Sequence, residues 1–279
     1  MKRQENKREL LYWADQYNEK NMDFIACENF WDSRAASFDK GSKKSNEANQ
    51  LVEKFKDRGI LTSEKTVLDI GAGTGVYGIP MGKVSKSVTS IDIAQNMLDI
   101  IGEKAKEEKL TNMEIAKLNW MDIDLKSYGW EDKFDLVFAS MSPAIHDYKT
   151  LVKMTKASKG YCYLSAWVKR DFKIEDALFN LVNKSEGKKG VNEDKIYFAF
   201  NVLWNLGYYP EVEFKERKRR TTFSIEEAYE SYIKKLMIKN KLDEKDKENI
   251  MNYLEKNSEN GVVVEELDSV VGSLLWKVK

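Results

Sequence analysis

Histidine occurs once in the 279 residues, as His146, and cysteine twice, as Cys27 and Cys162, far apart and in no CxxC pair. Zinc-ligand spacings and a disulfide framework are therefore missing, and no metal site is expected. A reduced, cytoplasmic protein is the expectation. Three prolines and 15 glycines are too few for long disordered linkers. No charge sign prevails, with 46 basic residues against 46 acidic. No global field then draws the chain to nucleic acid or an anionic membrane. No apolar run approaches the ~20 residues that span a bilayer. The start, "MKRQENKREL", is too polar for a signal peptide.

What is present changes texture along the chain. Residues 4–58 read as polar and helical, with scattered aromatics and a last amphipathic helix carrying Leu51, Val52 and Phe55. From Thr66 onward short apolar runs alternate with helical patterns: "TVLDI", "SVTSID", "MEIAKLN", "FDLVFAS" and "GYCYLSAWV". That alternation predicts parallel βαβ units, an α/β sheet with helices on both faces. A helix over 191–210 ends at Gly207, and "EVEFKERKRRTTFS" follows as a strand. Ser224 and Glu227 form a capping-box pattern, and a second polar helix covers about 244–257. "SLLWKVK" reads as the final strand. The expected organisation is a helical cap over 1–59, a core over 60–223 and 261–279, and a helical insertion over 224–260.

"VLDIGAGTGVYG" carries the chemistry. A strand, a glycine loop and a helix start form the usual cradle for a nucleotide-like ligand, because glycine admits positive φ and close backbone approach. The spacing is G-x-G-x-G, unlike the G-x-G-x-x-G of dinucleotide enzymes. Asp69 stands two residues before Gly71. A carboxylate there suits a cationic ligand and does nothing for a pyrophosphate. The next strand ends in Asp92, where a carboxylate can accept from both ribose hydroxyls; Asp92 is also placed to cap the helix that follows. The ligand so described has a ribose, a cationic group and no phosphate.

On these two elements the chain, from about Val67 to Val168, resembles class I S-adenosylmethionine-dependent methyltransferases. The resemblance implies a Rossmann-like α/β fold and S-adenosyl-L-methionine as cofactor. It implies a cofactor site built from Asp69, Gly71, Ala72, Gly73, Gly75, Asp92 and Ile93. At the end of the third strand Asn119 and Trp120 take the adenine positions, Asn119 in place of the usual Asp; Trp120 is equally well a core aromatic. Ser140 ends the fourth strand. Within "FWDSRAASFD", Trp31, Arg34 and Phe38 can close over the cofactor, Arg34 near its carboxylate.

The loop after the fourth strand, "MSPAIHD", lies beside the methyl group in that superfamily. It lacks the Asn/Asp-Pro-Pro-aromatic element of nucleobase-methylating enzymes. Ser142 and His146 are the catalytic candidates; His146 can act as a base or can simply start a helix. "KERKRR", Lys215 to Arg220, reads as a charge-guarded edge strand before it reads as an RNA surface. The expected partner is a small-molecule methyl acceptor, with neither nucleic acid nor membrane. The alternatives are an RNA or protein methyltransferase and a non-catalytic cofactor-binding module.

Overall fold

A computed structural model describes residues 2–17, 23–42, 46–182, 194–238 and 240–278. Three helices lead: α1 (Lys2–Gln16), α2 (Phe24–Ser42) and α3 (Glu47–Asp57). The alternating part follows as β1 (Thr66–Ile70), α4 (Gly78–Gly82), β2 (Ser87–Asp92), α5 (Gln95–Glu107), β3 (Met113–Lys117), β4 (Phe134–Ser140), α6 (Tyr148–Ala157) and β5 (Ser158–Phe172). Then come α7 (Lys173–Val182), α8 (Lys195–Asn205), β6 (Glu211–Ser224), α9 (Ile225–Met237), α10 (Glu244–Lys256), the short β7 (Ser258–Glu259) and β8 (Val262–Lys277).

The strands form one sheet in the order β3-β2-β1-β4-β5-β8-β6, with β7 paired to β8. β1 to β5 pair in parallel, and β8 runs antiparallel to both β5 and β6. The expected α/β class is therefore observed. Strand order reverses at β1, between β2 and β4. In an open sheet that is where a crevice opens beyond the carboxyl ends. The glycine loop leaves β1 at this point.

Both faces of the central strands β1, β2 and β4 are buried, as parallel pairing requires. One core packs Leu68, Ile70, Val137, Leu164 and Trp276 under α6 and α8. The other packs Val67, Phe138, Tyr163 and Leu275 against Val52 and Phe55 of α3. The Phe138 and Tyr163 rings stack with centroids 4.8 Å apart.

The strands on the β5 side are longer than their apolar runs suggest. β8 spans 16 residues, where the sequence indicated only "SLLWKVK". β5 and β6 match that length, so three strands overrun the crevice and carry α7, α9 and α10. Ile174, Leu178, Ala228, Tyr232, Ile250 and Leu254 form a separate core there. α9 starts with the expected capping box, Ser224 against Glu227. The helix after the glycine loop, α4, is only five residues long. α8 starts at Lys195; residues 191–193 of the expected helix lie outside the described residues.

Leu254 is fully buried in the overhanging core. Leu254→Ala should cost about 2–5 kcal/mol, the range for deleting a buried leucine side chain. Urea unfolding measures it directly, and a loss below ~1 kcal/mol would show that this core packs loosely.

Candidate active site

Gly71, Gly73 and Gly75 all have positive φ, at 69°, 55° and 75°. The loop is fixed from below: the Gly71 and Ala72 N–H groups both donate to Ile91 O of β2, at 2.8 and 3.0 Å. Space is decided by protein neighbours. A Cβ on Gly71 would stand 2.0 Å from Ser142 Oγ, so this glycine lets the loop after β4 close onto the loop after β1. Gly78, which starts α4, does the same for β1: a Cβ there would stand 3.1 Å from both Asp69 Oδ2 and Ser90 Oγ.

Asp69 is buried, and its Oδ2 has no hydrogen-bond partner; Ser90 Oγ beside it is also unpartnered. Burial, reinforced by the Asp92 charge, pushes the Asp69 carboxyl up to about 8. Asp92 is engaged at both oxygens. Oδ2 accepts the Gly73 N–H at 2.9 Å and Oδ1 accepts the Ala94 N–H at 3.0 Å. Burial raises its pKa, while N–H donors from Ala94, Gly73 and Ile93 pull the other way. Asp92 thus braces the glycine loop and leads α5 away from β2. A carboxylate offers about four lone-pair directions, more than these donors fill, so acceptor capacity remains for a ligand.

These groups fit a cationic nucleoside. A buried and a half-buried carboxyl converge on the loop with no cation of the described residues paired to them, and Asp69 has an orphaned oxygen. A positively charged ligand group is what such a site lacks.

α2 lies across the mouth. Phe38 Cε1 would touch a Cβ on Gly73 at 3.7 Å. Asp39 pairs with Lys104 of α5, and Lys104 Nζ donates to Thr74 O in the loop at 2.7 Å. Asn96 N donates to Asp32 Oδ1 at 2.8 Å, and Lys117 pairs with Glu28 at 2.6 Å. Trp31 packs on Ala35, Ala94 and Met97, with its ring edge-on to Phe38. Asp39, Lys104, Gly78 and Ser90 were missed in the sequence. Gly78 could have been found as a fourth glycine following "GAGTG".

Two expectations need correction. Trp120 is 1% exposed and lies in the core under α6. Its Nε1 donates to Thr150 O at 3.2 Å and Lys153 Nζ lies over its ring, so it offers no stacking face to the crevice. Arg34 turns away from the loop: its Nη1 donates to Ser231 of α9 and its guanidinium lies over Phe30. Asn119 stays at the end of β3, where its Oδ1 accepts the Met121 N–H at 3.1 Å and caps a short 3₁₀ turn.

At the end of β4, Ser140 Oγ meets Ser165 Oγ at 2.9 Å. Met141 has φ +56°, an uncommon conformation for a non-glycine residue and a mark of stored strain. Ser142 accepts the Ala144 N–H and receives Lys195 Nζ at its carbonyl. His146 is buried, and its Nδ1 lies 3.2 Å from Pro143 O. A carbonyl only accepts, so in the neutral ring Nδ1 carries the proton and Nε2 keeps the lone pair.

Comparison with known proteins places these features. The profile of a methyltransferase domain family matches residues 61–258. Among curated proteins, an uncharacterized protein of Haemophilus influenzae is 21% identical over 266 residues, 91% of this chain and 93% of that one. Ribosomal RNA small subunit methyltransferase A of Wigglesworthia glossinidia brevipalpis is 32% identical, over 29% of this chain and 27% of its own length. A solved structure from Bacillus halodurans, assigned as a methyltransferase, superposes with TM-score 0.50 at 13% identity, over 81% of this chain and 97% of that one.

Asp69 yields a pH test. Its folded pKa, about 8, lies above the ordinary 3.8. The protonated acid's share of stability is therefore complete below pH ~4 and is lost as pH rises through 8. Asp69→Asn, neutral throughout, should match the ligand-free wild type at pH 4 and exceed it above pH 8. The gap should open at up to about 1.4 kcal/mol per pH unit. A constant gap in urea midpoints across this range would contradict the shift.

Proposed function

Because the chain belongs to this methyltransferase domain family, as a class I S-adenosylmethionine-dependent enzyme, we propose that it methylates a small-molecule acceptor by in-line displacement. The observation that carries the acceptor class is the roof. α2 is held to the loop through Phe38, Asp39 and Lys104, and to α9 through Arg34 and Ser231. A crevice covered by a helix fastened at two points suits a compact molecule better than a folded RNA.

The residues divide the work. Asp69 supplies negative charge under the loop, and Asp92 supplies the remaining acceptor directions for ribose hydroxyls. Ile93 and Ala72 supply backbone and apolar contact beside them. Ser142 shapes the mouth by packing on Gly71. Ser140, at the tip of β4, faces the acceptor side. His146 can take a proton from the acceptor at Nε2. Bound at this loop, the cofactor supplies an electrophilic methyl on a sulfonium sulfur, a reaction that positioning serves more than acid–base help. Phe38 and Trp31 give the mouth an apolar rim. No helix among the described residues is long and apolar enough to cross a membrane.

Methyl-labelled S-adenosylmethionine, incubated with the full chain and either a small-metabolite or an RNA fraction, tests the reading. Label should enter the metabolites; label confined to RNA would contradict it. The ribose role of Asp92 is tested separately. Two hydrogen bonds to a charged acceptor are worth about 1.5–3 kcal/mol each. Asp92→Ala should therefore weaken S-adenosylhomocysteine binding by a few hundred-fold or more, and Asp92→Asn by less. Near-native affinity of the alanine variant in titration calorimetry would leave Asp92 as a loop brace alone.

A further inference from the structure

β6 is the edge strand, as its charges suggested, but its two faces differ. Lys218 and Arg220 lie on one face, where Lys218 approaches Asp268 at 3.8 Å. Lys215, Arg217 and Arg219 lie on the other, paired across to Val271, Ser269 and Leu267 of β8. This second row is turned toward α2 and α3. Lys215 and Arg217 share a single carboxylate, Glu47 at the start of α3. Arg217 Nε is buried without a hydrogen-bond partner.

Arg219 has no ion pair with any described residue. Its Nη2 lies 2.8 Å from where a Cβ on Gly41 would stand, against the end of α2. Arg34, Phe38 and Gly41 are spaced i, i+4 and i+7, so they share one stripe of α2. Along that stripe Arg34 meets α9, Phe38 covers Gly73 and Gly41 receives Arg219. The contacts of Phe38 and Gly41 lie only about 5 Å apart along the helix axis. Arg219 therefore stands, exposed, at the rim of the mouth that Phe38 covers, on the side of the long strands.

The charges around it do not balance. Arg34 is half-buried; burial lowers its pKa and the nearby charge of Arg219 lowers it further, while Tyr232 and Glu175 pull the other way. Among the described residues, the acids on these elements already have partners. Glu47 serves Lys215 and Arg217; Asp39 serves Lys104; Glu175 serves Arg170 and Lys235. Glu265 accepts the Tyr232 hydroxyl and two backbone N–H groups. Two guanidinium groups brought together repel, the Glu175 charge near Arg34 is shared with Arg170 and Lys235, and a bound anion lowers the cost.

We propose that the methyl acceptor carries a compact anionic group, a carboxylate or a phosphate, held by Arg219 with Arg34 beside it. The inference rests on the methyl-transfer reading of the site and narrows the acceptor class. Arg219 acts as a specificity residue: it binds the acceptor's far end while the methylated atom lies toward Ser140.

The test uses the full chain saturated with S-adenosylhomocysteine and titrated with inorganic phosphate and, separately, malonate at low millimolar concentration. Either probe should raise the melting temperature by about 2 °C or more. Arg219→Ala should abolish the rise and Arg219→Lys should keep part of it. Stabilisation by S-adenosylhomocysteine itself should be equal in all three proteins. Absence of an anion effect in the wild type, or an equal effect in the alanine variant, overturns the proposal. Loss of S-adenosylhomocysteine stabilisation in Arg219→Ala also overturns it, because the arginine would then hold the cofactor's own carboxylate. If S-adenosylhomocysteine fails to stabilise the wild type, the proposed function falls, and the anion titrations without it still decide the Arg219 site.

Discussion

Two carboxyls at the ends of adjacent parallel strands, Asp69 on β1 and Asp92 on β2, set the terms for everything around them. Parallel pairing puts both ends at the same edge of the sheet, and burial puts them in each other's field. Asp92 relieves its share by accepting the N–H groups of Gly73 and Ala94. Those two bonds determine how the glycine loop folds over β2 and where α5 begins. Asp69 has no such relief at Oδ2. Gly78 and Ser90 make room for it without satisfying it. A globular fold rarely leaves a buried carboxyl oxygen orphaned, and here the exception sits at the sheet's switch point.

The roof follows from the same arrangement. Lys104 reaches back from α5 to the Thr74 carbonyl and holds Asp39 of α2, so the helix that covers the mouth is tied to the loop it covers. The overhang of β5, β8 and β6 provides the other wall. Its apolar core comes from α7, α9 and α10, with Arg170 and Glu175 paired inside it and Lys235 reaching Glu175 from the rim.

Much of this was legible in the sequence. The glycine loop, the acid before it and the alternation of short apolar runs gave the fold class and the switch point. The Ser224–Glu227 pair marked a helix start that the structure contains. What failed has physical reasons. Trp120 follows the third strand at a position that can face either the crevice or α6, and the apolar pattern does not say which. Arg34 lies on the same α2 stripe as Phe38, but the stripe meets α9 at Arg34 and the loop only one turn later, at Phe38. β8 hid because Glu265, Glu266 and Asp268 interrupt its pattern; Glu265 is buried only because Tyr232 and two N–H groups meet it. α7 was overlooked although Ile174, Leu178 and Val182 recur every four residues. The Asp39–Lys104 tie, joining residues 65 apart, had no local signal.

The central claim is that Asp69 waits as a neutral acid for a cationic ligand. Titration calorimetry of S-adenosylmethionine binding at pH 7, in buffers of different ionisation enthalpy, measures this directly. With a carboxyl near 8 in the ligand-free protein, a positive ligand group lowers its pKa, and binding should release up to about one proton. That release should vanish in Asp69→Asn. Binding heats independent of buffer in the wild type would show that Asp69 is already ionised and contradict the account.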